Sequence, residues 1–293
     1  MFSAFFGNYL LNKGIVTGEQ LSQVLENQRI IRLKLGMLAI NAGYMNARQV
    51  DEIHELQALK DKRFGDLAIE KGYLTTVQLD ALLKQQKSEH LLLAQALIDD
   101  GLITIEGFEK EINNYKKEHG LTDEQLDALK HNNVEMVVHA FLAFGESTLS
   151  KHYSDYVTLF LKNMIRFIDA DLRIDRVEKI DTIQMPHLVR QTITGDARIF
   201  TGLSGEELPF ITLAGRYADE KFDKIEEYPI DAAGEFLNFH NGLFTVNLSD
   251  EGIEMTLDVQ SYLEDSTLTP SNQLYHIPIY TSFGVIDLII GQL

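Results

Sequence analysis

The first half of the chain repeats one pattern of apolar and polar positions with a period of 29 residues. Four copies align without gaps, and they begin at Phe6, Leu35, Phe64 and Leu93. Apolar residues recur at spacings of three and four, which predicts two short amphipathic helices per copy. A strict period of this size is typical of tandem helical-hairpin repeats, so we expect an all-α first domain.

The residues at the predicted helix ends support this interpretation. Four glycines fall in register where the first helix of each copy should end: Gly14, Gly43, Gly72 and Gly101. Glycine suits this position because it adopts the left-handed conformation without steric cost. Capping boxes, which satisfy backbone N–H groups at a helix start, are predicted in three copies: Thr17 with Gln20, Asn46 with Gln49, and Thr75 with Gln78.

From about residue 150 the pattern becomes a mixture of helical and alternating stretches. Residues 153–168 predict an amphipathic helix. Residues 187–215 alternate apolar and polar positions around glycines, which predicts adjacent strands with a hairpin turn at 202–205. The remaining predictions are a short helix near 219–225, a strand at 252–263 and a closing strand pair at 275–280 and 284–291. Helix, strands, helix, strands is the order of an α+β domain.

One further predicted helix, at residues 231–244, carries two different stripes. The apolar stripe consists of Ala232, Phe236, Phe239 and Leu243. The polar stripe has the same spacings and consists of Asp231, Glu235, Asn238 and Gly242. An acid and an amide three residues apart lie on one helical face, so they could act together. The alternative is an ordinary solvated face.

Together these patterns predict three segments. Residues 1–118 form a helical repeat domain, residues 119–148 a connecting helix and residues 149–293 an α+β domain.

Composition narrows the classes of function. The net charge of −18 opposes binding to nucleic acid or to an anionic membrane surface, since both require a basic protein surface. The absence of cysteine excludes disulfides and thiol catalysis, and the scattered histidines predict no metal site. No apolar run is long enough to span a bilayer and no export signal is evident, so we expect a cytoplasmic protein without membrane insertion.

The repeats resemble the MshEN domain, the cyclic di-GMP-binding N-terminal domain of type II secretion and pilus-type ATPases. Its motif, R-L-G-x-x-L-x-x-x-G-x-x-x-x-x-x-L-x-x-x-L-x-x-Q, is repeated in tandem with a five-residue spacer. This arrangement has the same 29-residue period as the present sequence. The four copies hold Phe5, Lys34, Arg63 and Leu92 at the arginine position. The resemblance implies nucleotide binding by Lys34 and Arg63, since arginine can stack on guanine and pair with phosphate. The favoured interpretation is a plain helical module that senses or docks a protein, and nucleotide binding is the alternative.

Residues from about 150 to 293 resemble the chemotaxis phosphatase family of CheX, CheC and FliY. The family signature is [D/S]-x-x-x-E-x-x-N on a helix, and Asp231, Glu235 and Asn238 match it. One such helix per chain resembles CheX. The resemblance implies long helices packed on a mainly antiparallel sheet.

The sequence departs from this family at a proline that follows the signature helix. Gln260 and Ser261 stand at that position, and the nearest downstream proline is Pro270. The departure concerns the loop next to the expected site.

The resemblance implies hydrolysis of the aspartyl phosphate of a CheY-like response-regulator receiver. Asn238 would hold the attacking water in line and Glu235 would pair with the receiver's lysine, with Asp231 and Gly242 supporting the site. The receiver would contribute its own Mg²⁺, and this chain would bind no cofactor. The favoured interpretation is therefore an enzyme. The alternative is a catalytically silent adaptor that binds a receiver or cyclic di-GMP, and a homodimer is implied by the resemblance alone.

Overall fold

The chain divides into a helical unit and a unit built around one sheet. The computed structural model describes residues 1–28, 33–60, 62–83, 89–142, 144, 150–174, 177–180, 182–269 and 273–292. Contacts between Cα atoms group Phe2–Asn132 as one unit and Asn133–Leu293, with Met1, as the other. Pro270 and the predicted boundary at residues 148 and 149 lie outside the described residues.

The helical unit follows the repeat. Its helices in the described ranges are α1 (Phe2–Asn12), α2 (Gly18–Gln28), α3 (Leu35–Asn41), α4 (Ala47–Lys60), α5 (Phe64–Glu70), α6 (Thr76–Leu83), α7 (Glu89–Asp99), α8 (Ile105–Glu118) and α9 (Asp123–Lys130). Each aligned copy therefore supplies two consecutive helices, from α1 and α2 in the first copy to α7 and α8 in the fourth.

The predicted helix ends are confirmed. The four in-register glycines have φ between 68° and 72°, within the left-handed region. Both hydrogen bonds of the capping box form at the three predicted sites: Thr17 with Gln20, Asn46 with Gln49, and Thr75 with Gln78. In the fourth copy Thr104 accepts a hydrogen bond from the backbone N–H of Gly107, and glycine has no side chain to return one.

Helix α1 joins the first copy to the fourth. The rings of Phe6 and Phe108 on α8 lie 5.3 Å apart between centroids, and those of Phe6 and Tyr115 lie 5.7 Å apart. The hydroxyl of Tyr9 donates to Glu111 Oε2 at 2.9 Å. Helix α1 also packs against α7. The apolar start of the chain is therefore part of the core of this unit.

The prediction of one connecting helix over residues 119–148 was wrong. Helix α9 ends at Lys130, and a separate helix α10 (Val134–Phe141) follows. Asn132 adopts a φ of 54°, which breaks the helical path, and the Asn133 side chain accepts a hydrogen bond from the backbone N–H of Met136. Asparagine tolerates the left-handed region and is a favoured N-cap, so this pair both stops and restarts the helix.

The second unit contains long helices on an antiparallel sheet, as expected. After α10, its elements are α11 (Ser150–Phe167), β1 (Arg173–Ile174), β2 (Glu178–Ile180), β3 (Ile183–Gly195), β4 (Arg198–Gly205), α12 (Glu207–Ala218), α13 (Glu227–Asp250), β5 (Met255–Leu257), β6 (Ser261–Leu268), β7 (Leu274–Thr281) and β8 (Gly284–Gly291). The strand order is β1-β7-β8-β4-β3-β5, with β2 paired to β7 and β6 to β3. Helix α13 packs against β3, β4, β5 and β6, and α11 packs against α13.

Three local predictions in this unit were wrong. Residues 207–215 are not strand but the start of α12, whose buried residues Phe210, Ile211 and Ala214 recur at helical spacing. Residues 202–205 are not a turn, because β4 pairs there with both β3 and β8. Residues 219–225 form no helix, since α12 ends at Ala218 and Asp219 turns the chain with a φ of 55°.

The glycines of the repeat should be sensitive to substitution through their backbone angle alone. Gly72 has a φ of 72°, and a Cβ added there would meet no atom within 4 Å, whereas Gly18 has equally open space without a positive φ. Gly72→Ala should lower the free energy of unfolding by about 1 kcal/mol, while Gly18→Ala should leave it unchanged or raise it slightly. Urea unfolding followed by circular dichroism measures both, and equal effects would contradict the prediction.

Candidate functional site

Helix α13 has one buried face and one polar face. Its buried face includes Ala233, Phe236, Leu237, His240, Asn241, Phe244 and Leu248. The predicted polar stripe lies elsewhere on the helix: Asp231 and Glu235 are exposed, and Asn238 and Gly242 are half-buried. The predicted apolar stripe is only partly correct, because Leu243 is 37% exposed. The buried face is rotated about the helix axis relative to the predicted apolar stripe. The reason is that the polar residues His240 and Asn241 are buried as well.

Strand β3 holds the amide of Asn238. Gln191 Nε2 donates to Asn238 Oδ1 at 2.8 Å and to the backbone carbonyl of Asp258 at 2.9 Å. Gln191 is only 3% exposed, so these bonds are shielded from competing water. Among the described residues nothing pairs with Asn238 Nδ2, and this atom is not buried. The structure therefore fixes one end of the amide and leaves the other end available.

Behind Gln191 the hydrogen bonds continue into the core. Asn241 Nδ2 donates to Gln191 Oε1 at 2.8 Å and to Thr201 Oγ1 at 2.9 Å. The Thr201 hydroxyl donates to the backbone carbonyl of Gln191 at 2.8 Å, and the Tyr156 hydroxyl donates to Asn241 Oδ1 at 2.7 Å. We call Tyr156, Gln191, Thr201, Asn238 and Asn241 the amide network. It connects α11, β3, β4 and α13.

The carboxylate of Glu235 is held by a neutral partner. Its Oε1 accepts a hydrogen bond from Gln260 Nε2 at 3.3 Å. Gln260 reaches Glu235 by crossing Gly234, where an added Cβ would lie 2.8 Å from Gln260 Nε2. In the described ranges no lysine, arginine or histidine forms an ion pair with Glu235. The pKa of the Tyr217 hydroxyl is raised by burial and also by the nearby charge of Glu235.

The segment between β5 and β6 lies next to both side chains. The backbone N–H of Asp258 donates to the carbonyl of Thr192 at 2.9 Å, and its carbonyl accepts from Gln191. Gln260 is attached to Glu235. Val259, between these two residues, is 92% exposed. An aliphatic side chain is therefore exposed next to the candidate site.

His240 lies on the buried face of α13, below the polar stripe. It is fully buried, its ring centroid lies 4.3 Å from that of Tyr156, and Asn163 Nδ2 lies 3.1 Å from its Nδ1. Burial lowers the pKa of His240 to about 3. The imidazole is therefore neutral at physiological pH and acts as a packing residue.

Three residues that support the site stand outside every motif in the sequence. Gln191, Asn241 and Gln260 all bind the candidate residues or each other. A signal for Gln191 exists, since it is a polar residue in the inward-facing row of β3 between the buried Val189 and Ile193. The position of Gln260 was noted only as a missing proline.

Lys34 and Arg63 occupy equivalent positions, as the N-caps of α3 and α5. Lys34 Nζ forms an ion pair with Asp99 at 2.5 Å. Lys34 also lines a cavity of about 790 Å³ with Asp51, His54 and Glu106, and Arg63 is not among its described lining residues. A lining with two acids opposes a dianionic ligand. Cyclic di-GMP binding by Lys34 and Arg63 remains a prediction.

Two kinds of feature are absent from the described residues. Within these ranges no three His, Asp or Glu side chains come together as a possible metal site. None of the helices described above is long and apolar enough to cross a membrane.

Acid should destabilise the sheet-containing unit through His240. Its pKa is about 3 in the folded protein against an ordinary 6.5, so between these values only the unfolded chain is protonated. The stabilisation is complete above pH 6.5 and is lost as the pH falls toward 3, by at most about 1.4 kcal/mol per pH unit. Between pH 7 and pH 5, the free energy of unfolding should fall by about 2 kcal/mol less in His240→Gln than in wild type. Urea unfolding at both pH values measures this difference. Equal losses would contradict a buried neutral imidazole.

No family model matches the sequence, and no curated protein matches it. Among solved structures, the chain is similar to a chemotaxis protein CheX from Desulfovibrio desulfuricans, with 17% identity, a TM-score of 0.42 and coverage of 48% of this chain and 98% of that chain. It is similar to a CheC-like superfamily protein from Shewanella sp. PV-4, with 18% identity, a TM-score of 0.41 and coverage of 46% and 96%. It is also similar to the CheX–CheY–BeF3–Mg²⁺ complex from Borrelia burgdorferi, with 12% identity, a TM-score of 0.38 and coverage of 48% and 96%.

Proposed function

We propose that the sheet-containing unit binds a phosphorylated receiver domain and hydrolyses its aspartyl phosphate. One observation carries the proposal: Asn238 presents an available amide nitrogen, held in place by Gln191, one helical turn from the exposed carboxylate of Glu235. The spacing matches the acid and amide of the phosphatase signature that the sequence resembles. Both side chains lie on a helix that packs against four strands, which limits their movement.

The chemistry requires little of this chain beyond placement. A water molecule attacks phosphorus in line, the bond from phosphorus to the aspartyl oxygen breaks, and inorganic phosphate and a free carboxylate are released. Phosphoryl transfer is catalysed mainly by positioning and charge stabilisation. In this proposal Asn238 positions the water against the phosphoryl group, and the magnesium ion belongs to the receiver as part of the substrate.

Glu235 suits a docking role. An exposed carboxylate that is held by a neutral amide can exchange that hydrogen bond for a charge-assisted one. A lysine of the receiver is the matching group. The exposed Val259 adds an apolar contact beside this charge, so the surface combines an acid, an amide and an aliphatic side chain.

Removal of the Asn238 amide should abolish the acceleration of phosphate loss. Decay of a phosphorylated receiver domain with Mg²⁺ is measured with and without the protein. Asn238→Ala should lower the accelerated rate by about 10²-fold, the usual cost of one positioned hydrogen-bond donor. Asn247→Ala is the matched control, because Asn247 is an exposed amide on the same helix outside the site. No acceleration by wild type with any receiver tested, despite binding, would leave a silent adaptor.

Loss of the Glu235 charge should weaken docking. Glu235→Gln should raise the Kd for the receiver domain by about tenfold, since one charge-assisted contact is lost. Asp250→Asn removes an equally exposed acid at the end of α13 and should leave the Kd unchanged. Isothermal titration calorimetry measures both, and equal effects would point to net charge instead of a specific contact.

A further inference from the structure

We infer that Gln191 is a positioning residue that fixes the Asn238 amide with its NH₂ group directed to the partner. The inference rests on the proposed function for its catalytic meaning, but the orientation itself follows from the amide network. An amide group has a donor end and an acceptor end of nearly the same shape, so its direction must be deduced from its hydrogen-bond partners.

Thr201 sets the direction of the Asn241 amide. Its hydroxyl lies 2.8 Å from the backbone carbonyl of Gln191, which can only accept, so the hydroxyl hydrogen is used there. Thr201 Oγ1 must then accept from Asn241, and the Asn241 atom at 2.9 Å must be its NH₂ group. The Tyr156 hydroxyl, 2.7 Å from the other end of this amide, donates to the oxygen.

The orientation of the Gln191 amide follows from that of Asn241. The second hydrogen of the Asn241 NH₂ group points to Gln191 at 2.8 Å, so the facing atom of Gln191 must be its oxygen. The NH₂ group of Gln191 therefore lies at the other end. That end is 2.9 Å from the carbonyl of Asp258, which again can only accept. The backbone carbonyls of Gln191 and Asp258 therefore each require, independently, the same orientation of the Gln191 amide.

The orientation of the Asn238 amide follows in turn from that of Gln191. One hydrogen of the Gln191 NH₂ group is used by Asp258, and the other points to Asn238 at 2.8 Å. The facing atom of Asn238 must therefore accept, so it is Oδ1. Nδ2 is left as the end available to a partner. The site consequently offers an N–H donor, which suits a water oxygen or a phosphoryl oxygen, both of which accept.

This direction makes two substitutions informative. Asn238→Asp keeps an acceptor for Gln191 but replaces the available donor with a carboxylate oxygen. Gln191→Glu keeps the acceptor for Asn241 but places an oxygen against both Asp258 and Asn238 Oδ1, which favours a reversed Asn238 amide. Asn247→Ala is the control, because Asn247 is an exposed amide on α13 outside the amide network.

The experiment measures receiver dephosphorylation by the full chain and its variants. Asn238→Asp should be as slow as Asn238→Ala, about 10²-fold below wild type. Gln191→Glu should slow the rate at least about tenfold without raising the receiver Kd, and should add nothing in the Asn238→Ala background. Asn247→Ala should leave the rate within about twofold of wild type. An active Asn238→Asp, or additive losses, would overturn the inference.

A second measurement is independent of catalysis. In wild type, the side-chain NH₂ signals of Gln191 and Asn241 should be protected from hydrogen exchange with solvent, and that of Asn238 should exchange freely. Protection of the Asn238 NH₂ group would reverse the deduced direction and overturn the inference. Free exchange at Asn238 without any phosphatase activity would retain the positioning role and reject the proposed function instead.

Discussion

The need to satisfy buried amides fixes the relation between helix α13 and the sheet. A buried polar group without a partner costs more than a hydrogen bond gains, so Gln191 and Asn241 constrain everything that packs around them. The two side chains bond to different sets of elements. Gln191 bonds to α13 and to the segment after β5, and Asn241 bonds to β3, β4 and α11. A helix that slid or rotated by one residue would break several of these bonds together. The exposed face of α13 therefore inherits its position from contacts inside the unit.

The two ends of the polar stripe are held in different ways. Asn238 is attached to a buried, fully bonded side chain, whereas Glu235 is attached to the half-exposed Gln260 by one bond of 3.3 Å. The first arrangement favours a fixed geometry, and the second favours exchange of partners on binding. In the proposed function, Asn238 is the group that must be aligned with the phosphate, and Glu235 is the group that the partner recognises.

Local patterns predicted the elements whose ends are fixed by local chemistry. The repeat glycines and capping boxes were correct because both act within a few residues of the chain. The start of α12 was not predicted, since its alternating letters suit a strand as well as a helix and packing decides between them. The sequence also proposed Glu235 and Asn238 as candidate site residues through their spacing. It could not identify Gln191, because the partner of Asn238 is 47 residues away and only the fold brings the two together.

The contact of α1 with α7 and α8 sets the repeat apart from an open solenoid. In an open array each copy touches only its neighbours. Duplication or deletion of a whole copy then leaves the other interfaces intact and costs little stability. Here the first copy packs against the fourth through Phe6, Tyr9 and their partners, which closes the array. A fifth full copy inserted in the middle would separate these surfaces and expose their aromatic side chains. The copy number is thus set by closure, so the gain or loss of one whole copy should destabilise this unit.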